Sequence, residues 1–360
     1  MSAISTLLVN CPVDQGALTS YWQDGRLGGI VENIPYAEFL TSDINRREIS
    51  MRISPGGAKI RNVEVTYMPR FLESTAGANV ANPYCGSGTF AGNLSSTYTL
   101  DTSINYASAP YKFTAEDLEG ACMSNPEYVL SILAAQVDVV DRRLATVMAN
   151  QAAALYGSWG SGIFATGNAV GEVNASSEYV AQTLLSGGQS LYPMGWQKID
   201  KALSKIGMLQ AAIFTGDTLD DYYSATVTGC CTDSGIDISA QLAQYGKAVM
   251  YDRRISASGA LNSENKALAV MPGALQWIPY TRASWKMGTN TENIGAYYHS
   301  TIRSPRLGID YDVVITDDCG EVTMIVIATG KTIAMPSDMY TTGDIFTGVT
   351  GVAKILVTNP

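Results

Sequence analysis

Residues 73 to 97, ESTAGANVANPYCGSGTFAGNLSST, constrain this chain more than any other stretch, because they hold small and turn-forming residues and almost nothing that could fill a core. Such a segment cannot fold compactly alone. The flanking runs read differently. REISMRIS, a Pro55-Gly56-Gly57 turn and AKIRNVEVTYMPRF alternate as two strands of a hairpin, and STYTLDTSINYASAPYKFT brings the chain back as a further strand. Residues 46 to 112 therefore read as a long two-stranded excursion with an ornate tip. An isolated hairpin is marginal in water, so the excursion is expected to lap onto neighbouring copies of the chain.

Composition agrees with a surface built for contacts. Only 16% of residues are charged, against about 25% in an average soluble domain, and 20 tyrosines stand against 7 phenylalanines. Tyr buries a ring and still satisfies its hydroxyl at an interface. The net charge of −10 argues against tight, sequence-independent binding to phosphate backbones, without forbidding a container around nucleic acid. No apolar run reaches the roughly 20 residues that span a bilayer, and the opening MSAISTLLVNCPVDQG lacks the pattern of a signal peptide, so a soluble cytosolic chain without a membrane partner is expected. The six cysteines, Cys11, Cys85, Cys122, Cys230, Cys231 and Cys319, show no metal spacing and are expected to be reduced.

Residues 1 to 45 read as an extended arm with one short helix. The strongest helix begins at Asn125-Pro126 and is stopped by Gly157, with Val129, Leu133, Val137, Val140, Leu144, Val147, Met148 and Leu155 on a 3.6-residue period. From 126 to 156 it would be about 46 Å long, a spine. Thr114 and Asp117 offer a capping box just before it. Beyond it, helix GWQKIDKALSKIG, strand AAIFTG, helix DTLDDYYSAT, segment ISAQLAQYG, strands KAVMYD and KALAVM and segment PGALQWIPY make a mixed α/β region. IDYDVVITDD and EVTMIVIAT read as an antiparallel pair, with a last strand at VAKILVT.

Chemistry finds little footing. The single histidine, His299, removes most Ser-His, Cys-His and His-metal constellations and reads as an exposed or contact residue. ATGKT at 328 to 332 fails as a P-loop because Ile325 stands where the first glycine belongs, and S-x-x-K at Ser263 to Lys266 lacks companion motifs. The carboxylate pairs Asp220/Asp221 and Asp317/Asp318 could serve a glycosidase, but a helix's first turns and a hairpin turn account for them. No enzyme, cofactor or metal is expected.

In order, arm, long hairpin, spine helix and mixed domain resemble the major capsid proteins of tailed bacteriophages, with their Hong Kong 97-like fold. The residues that carry the resemblance are NPEYVLSILAAQVDVVDRRLATVMANQ, AAIFTGDTLDDYYSA, YGKAVMYDRRI with VMPGALQW, and LGIDYDVVITDD. The resemblance implies an α+β fold with an N-terminal arm (1–45), an extended loop (46–112), a peripheral domain (113–192 and 301–360) and an axial domain (193–300). It implies hexamers and pentamers of an icosahedral shell around double-stranded DNA held without sequence-specific binding. Portal, scaffold and decoration proteins are the further partners it admits. The location it implies is the virion capsid, assembled in the bacterial cytoplasm. The assembly surface is expected to include Arg46, Arg47, Arg52, Lys59, Arg61, Tyr67, Arg70, Tyr84, Tyr98, Tyr297 and Tyr298, with solvated strand-edge charges as the alternative for the basic residues. An encapsulin-like compartment and a β-rich phage structural protein or adhesin stay open as alternatives.

Overall fold

Residues Asn125–Ala154 form α3, a 30-residue helix rich in Ala, the strongest helix former. One stripe of it, Leu133, Val137, Val140, Leu144, Met148 and Ala152, is buried at the expected helical spacing. The computed structural model describes residues 32–46, 50–67, 94–114, 116–117, 125–154, 178–181, 185–186, 189–190, 203–204, 208–217, 220, 248–257, 266–281, 297–318, 321–335 and 351–357. Within these the fold is mixed α+β and mostly β. The helices expected from GWQKIDKALSKIG and DTLDDYYSAT fall largely outside the described residues, and the segment ISAQLAQYG wholly so.

The stripe of α3 lies on β15 (Glu321–Ala334), whose Val322, Met324, Val326 and Ala328 are buried on alternate positions. β15 pairs antiparallel with β14 (Asp310–Asp318), as expected, and β14 with β13 (Tyr297–Arg303). β15 also pairs with β12 (Leu275–Tyr280), β4 (Asn105–Ala107) and β5 (Tyr111–Phe113), which makes a six-stranded sheet. Thr329 faces both Tyr280 and Asn105, so β12 and β4 lie on opposite edges of β15. Burying each of Val137, Leu144 and Met148 contributes about 1.5–3 kcal/mol.

A second, five-stranded sheet runs in the order β10 (Ala248–Tyr251), β9 (Ala212–Thr215), β11 (Lys266–Val270), β16 (Val352–Val357) and β6 (Glu178–Ala181). A small pair, β7 (Leu185–Ser186) and β8 (Gln189–Ser190), stands apart. β12 and most of β13 come from 193–300 yet join the six-stranded sheet, whereas β6 and β16 come from the flanking ranges yet join the five-stranded one. β11 has one edge on β9 and needs a partner for the other, and the last strand of the chain supplies it.

The arm segment holds two short helices where one was expected, α1 (Pro35–Thr41) and α2 (Asp43–Arg46). Tyr36, Ala37 and Leu40 are buried, and Tyr36 meets Phe214 edge-on with ring centroids 5.0 Å apart. Asp252, before α4 (Arg253–Ala257), accepts hydrogen bonds from the N–H of Tyr36 (3.1 Å) and of Arg254 (2.9 Å). Arg254 in turn pairs with Glu32 at 2.8 Å and donates to Thr146 Oγ1 on α3. Buried Asn45 donates to the carbonyls of Leu40 and Leu275 and accepts the N–H of Gly273, so these groups are satisfied inside the chain.

The excursion differs from expectation in one respect. β1 (Ser50–Pro55) and β2 (Ile60–Tyr67) form the expected hairpin, but β3 (Leu94–Asp101) returns along the other edge of β2 through all eight of its residues. The result is three strands. A hairpin alone leaves one row of β2 amides and carbonyls unpaired, and β3 fills that row.

Candidate assembly interface

Register sorts the three-stranded sheet into two unlike faces, because directly opposed residues share a face. Ile53, Val63 and Tyr98 lie in one row, Met51, Val65 and Ser96 in the next, and Tyr67 opposes Leu94. That face is apolar apart from Ser96 and, at the root, Arg61. The other carries Arg52, Ser54, Asn62, Glu64, Thr66, Ser95, Thr97 and Thr99. The centre of the apolar face is covered, with Val63, Val65 and Tyr67 buried, but its margins are open: Ile53 is 42% and Leu94 37% exposed. Burial, with Tyr67 alongside, pushes the Tyr98 hydroxyl above its ordinary pKa.

At its root the sheet is fastened through Arg61. Its Nη1 donates to the carbonyls of Gly57 (3.1 Å) and Ile60 (3.0 Å), and its Nε to the Tyr280 hydroxyl of β12 (3.3 Å). The guanidinium also sits 5.5 Å from the centre of the Tyr280 ring. Thr102 donates to the Lys59 carbonyl from both N–H (2.8 Å) and Oγ1 (2.9 Å). Between these groups is a cleft of about 420 Å³ lined by Lys59, Arg61, Thr102, Ser103, Asn105 and Tyr280. A second groove of about 360 Å³ is lined by Ile60, Leu100, Ile104, Tyr106, Gln151 and Lys331. Ser103 donates to Asp101 from side chain (2.6 Å) and backbone (2.8 Å), which holds that carboxyl below its ordinary pKa.

Buried hydrogen bonds tie α3 to the six-stranded sheet beneath. Asp141, fully buried in the middle of α3, accepts from the Ser304 hydroxyl at 2.9 Å and from the Tyr311 hydroxyl. Ser304 Oγ also accepts the N–H of Arg306 and Leu307, so the carboxyl fixes the β13–β14 turn onto the helix. Burial pushes the Asp141 carboxyl up to about 7; the hydrogen bonds from Tyr311 and Ser304 restrain the rise, Asp138 adds to it and Arg306 opposes it. Gln136 donates to the carbonyls of Met324 (2.9 Å) and Ala109 (3.2 Å), and Gln151 accepts the N–H of Thr332. Trp277 lies over Gly330 so closely that a Cβ there would come within 2.5 Å of the indole. The capping box holds: the Thr114 N–H and hydroxyl donate to Asp117, and the Asp117 N–H donates back at 3.4 Å.

No known family model matches the sequence, and no curated protein matches it. The solved structures similar to it include phage capsids. One is a Cyanophage A-1(L) capsid asymmetric unit, at 12% identity over 91% of this chain and 94% of that one, with a TM-score of 0.46. Another is the capsid of Ralstonia phage GP4, at 10% identity over 84% and 85%, with a TM-score of 0.41. A structure from Mycobacterium phage Bobi matches at 10% identity over 88% and 91%, also with a TM-score of 0.41.

The residues expected at an assembly surface scatter. Arg52 is exposed on β1, Lys59 is exposed in the β1–β2 turn, and Arg61 sits at the root. Tyr98 is half-buried on β3, while Tyr67 is buried at 5% exposure. Arg46 ends α2, and Tyr297 and Tyr298 oppose Thr316 and Ile315 on β13. Arg47, Arg70 and Tyr84 lie outside the described residues. His299 corrects an expectation. Its side chain is 2% exposed, with Nε2 3.1 Å from Asp312 Oδ1, because the strand alternation of β13 turns position 299 inward. Among the described residues no group of three or more His, Cys, Asp or Glu is placed to hold a metal, and no helix is long and apolar enough to cross a membrane. Sequence reasoning missed Ile53 and Leu94, although the alternation Met51-Arg52-Ile53 carried the signal for the first. It also missed Tyr280 and Gln151, for which no local pattern exists.

Proposed function

We propose that this chain is the major capsid protein of a tailed phage, a structural protein without catalytic function. Copies join as hexamers and pentamers of an icosahedral shell that encloses double-stranded DNA. The shell assembles in the bacterial cytoplasm and persists as the virion capsid. Portal, scaffold and decoration proteins belong to the same proposal. The observation that carries the reading is the three-stranded sheet, whose apolar face is filled at its centre and open at Ile53 and Leu94. A second copy that covers these margins removes apolar surface from water at about 25 cal/mol per Å². Each contact is modest after ordering costs, so stability comes from their number. A contact between unlike surfaces closes into rings where the rotation permits. The order of arm, long loop, spine helix and mixed sheets supports the same reading.

Negative-stain electron microscopy of the purified chain tests it directly. Closed particles with nuclease-protected DNA are the expected result when shells are recovered from phage-producing cells. Particles holding a packaged enzyme instead would place the chain with encapsulin-like compartments. A chain that stays monomeric over a wide range of concentration and ionic strength would overturn the proposal.

A further inference from the structure

Charge is segregated along β15. At its Lys331 end stand Lys331 itself, exposed, and the cleft with Lys59 and Arg61, where Asp101 is the neighbouring acid. At its Glu321 end the balance reverses. Glu321 opens β15, and Asp317 and Asp318 close β14 opposite Val322 and Glu321. Phe113 opposes Val322, so the chain leaves β5 beside Glu321 and reaches exposed Glu116 and Asp117 a few residues on. A contact at 3.1 Å between the Tyr111 and Tyr128 hydroxyls brings the first turn of α3, with exposed Glu127, to the same end. Lys112 on β5 stands at the same end and is paired with Glu321. Ten residues of β15 separate the two ends, about 33 Å at 3.3 Å per residue.

We propose that the cleft at the root of the three-stranded sheet is a socket for the acidic end of a second copy, with Glu116 and Glu127 of one copy meeting Lys59 and Arg61 in the cleft of the next and Lys331 in the second groove. Three observations carry it. The cleft is polar and about 420 Å³, large enough for one or two carboxylate side chains. Its guanidinium is held in place by two carbonyls and the Tyr280 hydroxyl, so little ordering remains to be done on binding. The complementary charge is on the same chain, about 33 Å away along β15, and in a chain of net charge −10 the acidic end gains from meeting cations. Opposite ends of one molecule cannot meet each other, so the contact runs head to tail, the kind that builds rings. The socket rests on the shell reading, to which it adds the contacting groups.

The test is a charge swap on the full chain, read by light scattering, electron microscopy and thermal melting. Lys59→Glu with Lys331→Glu leaves the Arg61 contacts intact. It is expected to melt like the parent and to raise the concentration needed for assembly at least about tenfold. Glu116→Lys with Glu127→Lys leaves the Asp117 cap in place and should raise the assembly concentration likewise, its melting lowered only by the charge reversed in the first turn of α3. The chain with all four changes, in which both ends are reversed, should assemble within about threefold of the parent. Normal assembly of either two-residue variant, or failure of the four-residue chain to recover, overturns the socket. Shells that form normally but lose their DNA would assign the cleft to nucleic-acid phosphate and overturn it as well. A parent chain that never assembles breaks the shell reading itself, a different result from any of these.

Discussion

Along the seam between α3 and the six-stranded sheet, apolar side chains are covered from both sides, and Asp141, the Gln136 amide nitrogen and the Gln151 amide oxygen are hydrogen-bonded within the chain. In the three-stranded sheet the apolar face is continuous in sequence pattern but only its middle is covered, and Ile53 and Leu94 stay open. Both regions follow the same alternation rules. They differ in whether one copy of the chain suffices, and the second region is the one that calls for a partner. Changes along the seam should therefore be felt by the single protomer, and changes at the sheet margin by the assembly.

The largest effect on the protomer is expected from Leu144→Ala, which opens a cavity under α3 and should cost about 2–5 kcal/mol in denaturant unfolding. A loss below 1 kcal/mol would mean the seam is less closely filled than its burial indicates. Gly330→Ala should cost about 1–3 kcal/mol, because the added Cβ meets the Trp277 ring and the rigid carbonyl of Ile278 at 2.6 Å.

Asp141 tests the seam through pH. Its folded pKa, about 7, lies above the unfolded value of 3.8, so between about pH 4 and 7 the folded state keeps a proton that the unfolded chain has released. Its contribution is therefore full below pH 4, falls by up to about 1.4 kcal/mol per pH unit across that window, and is flat above it. Asp141→Asn keeps an acceptor and removes the charge. Melting curves at pH 5, 6, 7 and 8 should show the variant gaining on the parent up to about pH 7 and levelling off beyond it, and a constant difference throughout would remove Asp141 as the titrating group.

Smallest in the protomer, and sharpest for the comparison, is Ile53→Asp with Leu94→Asp. Unfolding should change by no more than about 0.5 kcal/mol, as for other surface changes, while particles disappear from electron micrographs. If the protomer melts early instead, the margin belongs to the chain's own core and the contrast between the two regions fails.

What the sequence determined by itself was local and periodic. The spine helix was legible over 126–156 and is observed over 125–154, since a 3.6-residue apolar stripe has one compact solution and ends shift by a residue or two. The β1–β2 hairpin, the β14–β15 pair, β16 and the Thr114–Asp117 box were legible for the same reason, because each is written in a short window. Only the tertiary structure decided which edges meet: that β3 completes a three-stranded sheet, that β16 crosses to the sheet of β9 and β11, that His299 turns inward, and that Arg61 is held by Tyr280. Those pairings join residues tens to hundreds of positions apart. They are fixed by the need to satisfy backbone edges and cover apolar faces all at once, which no local pattern encodes.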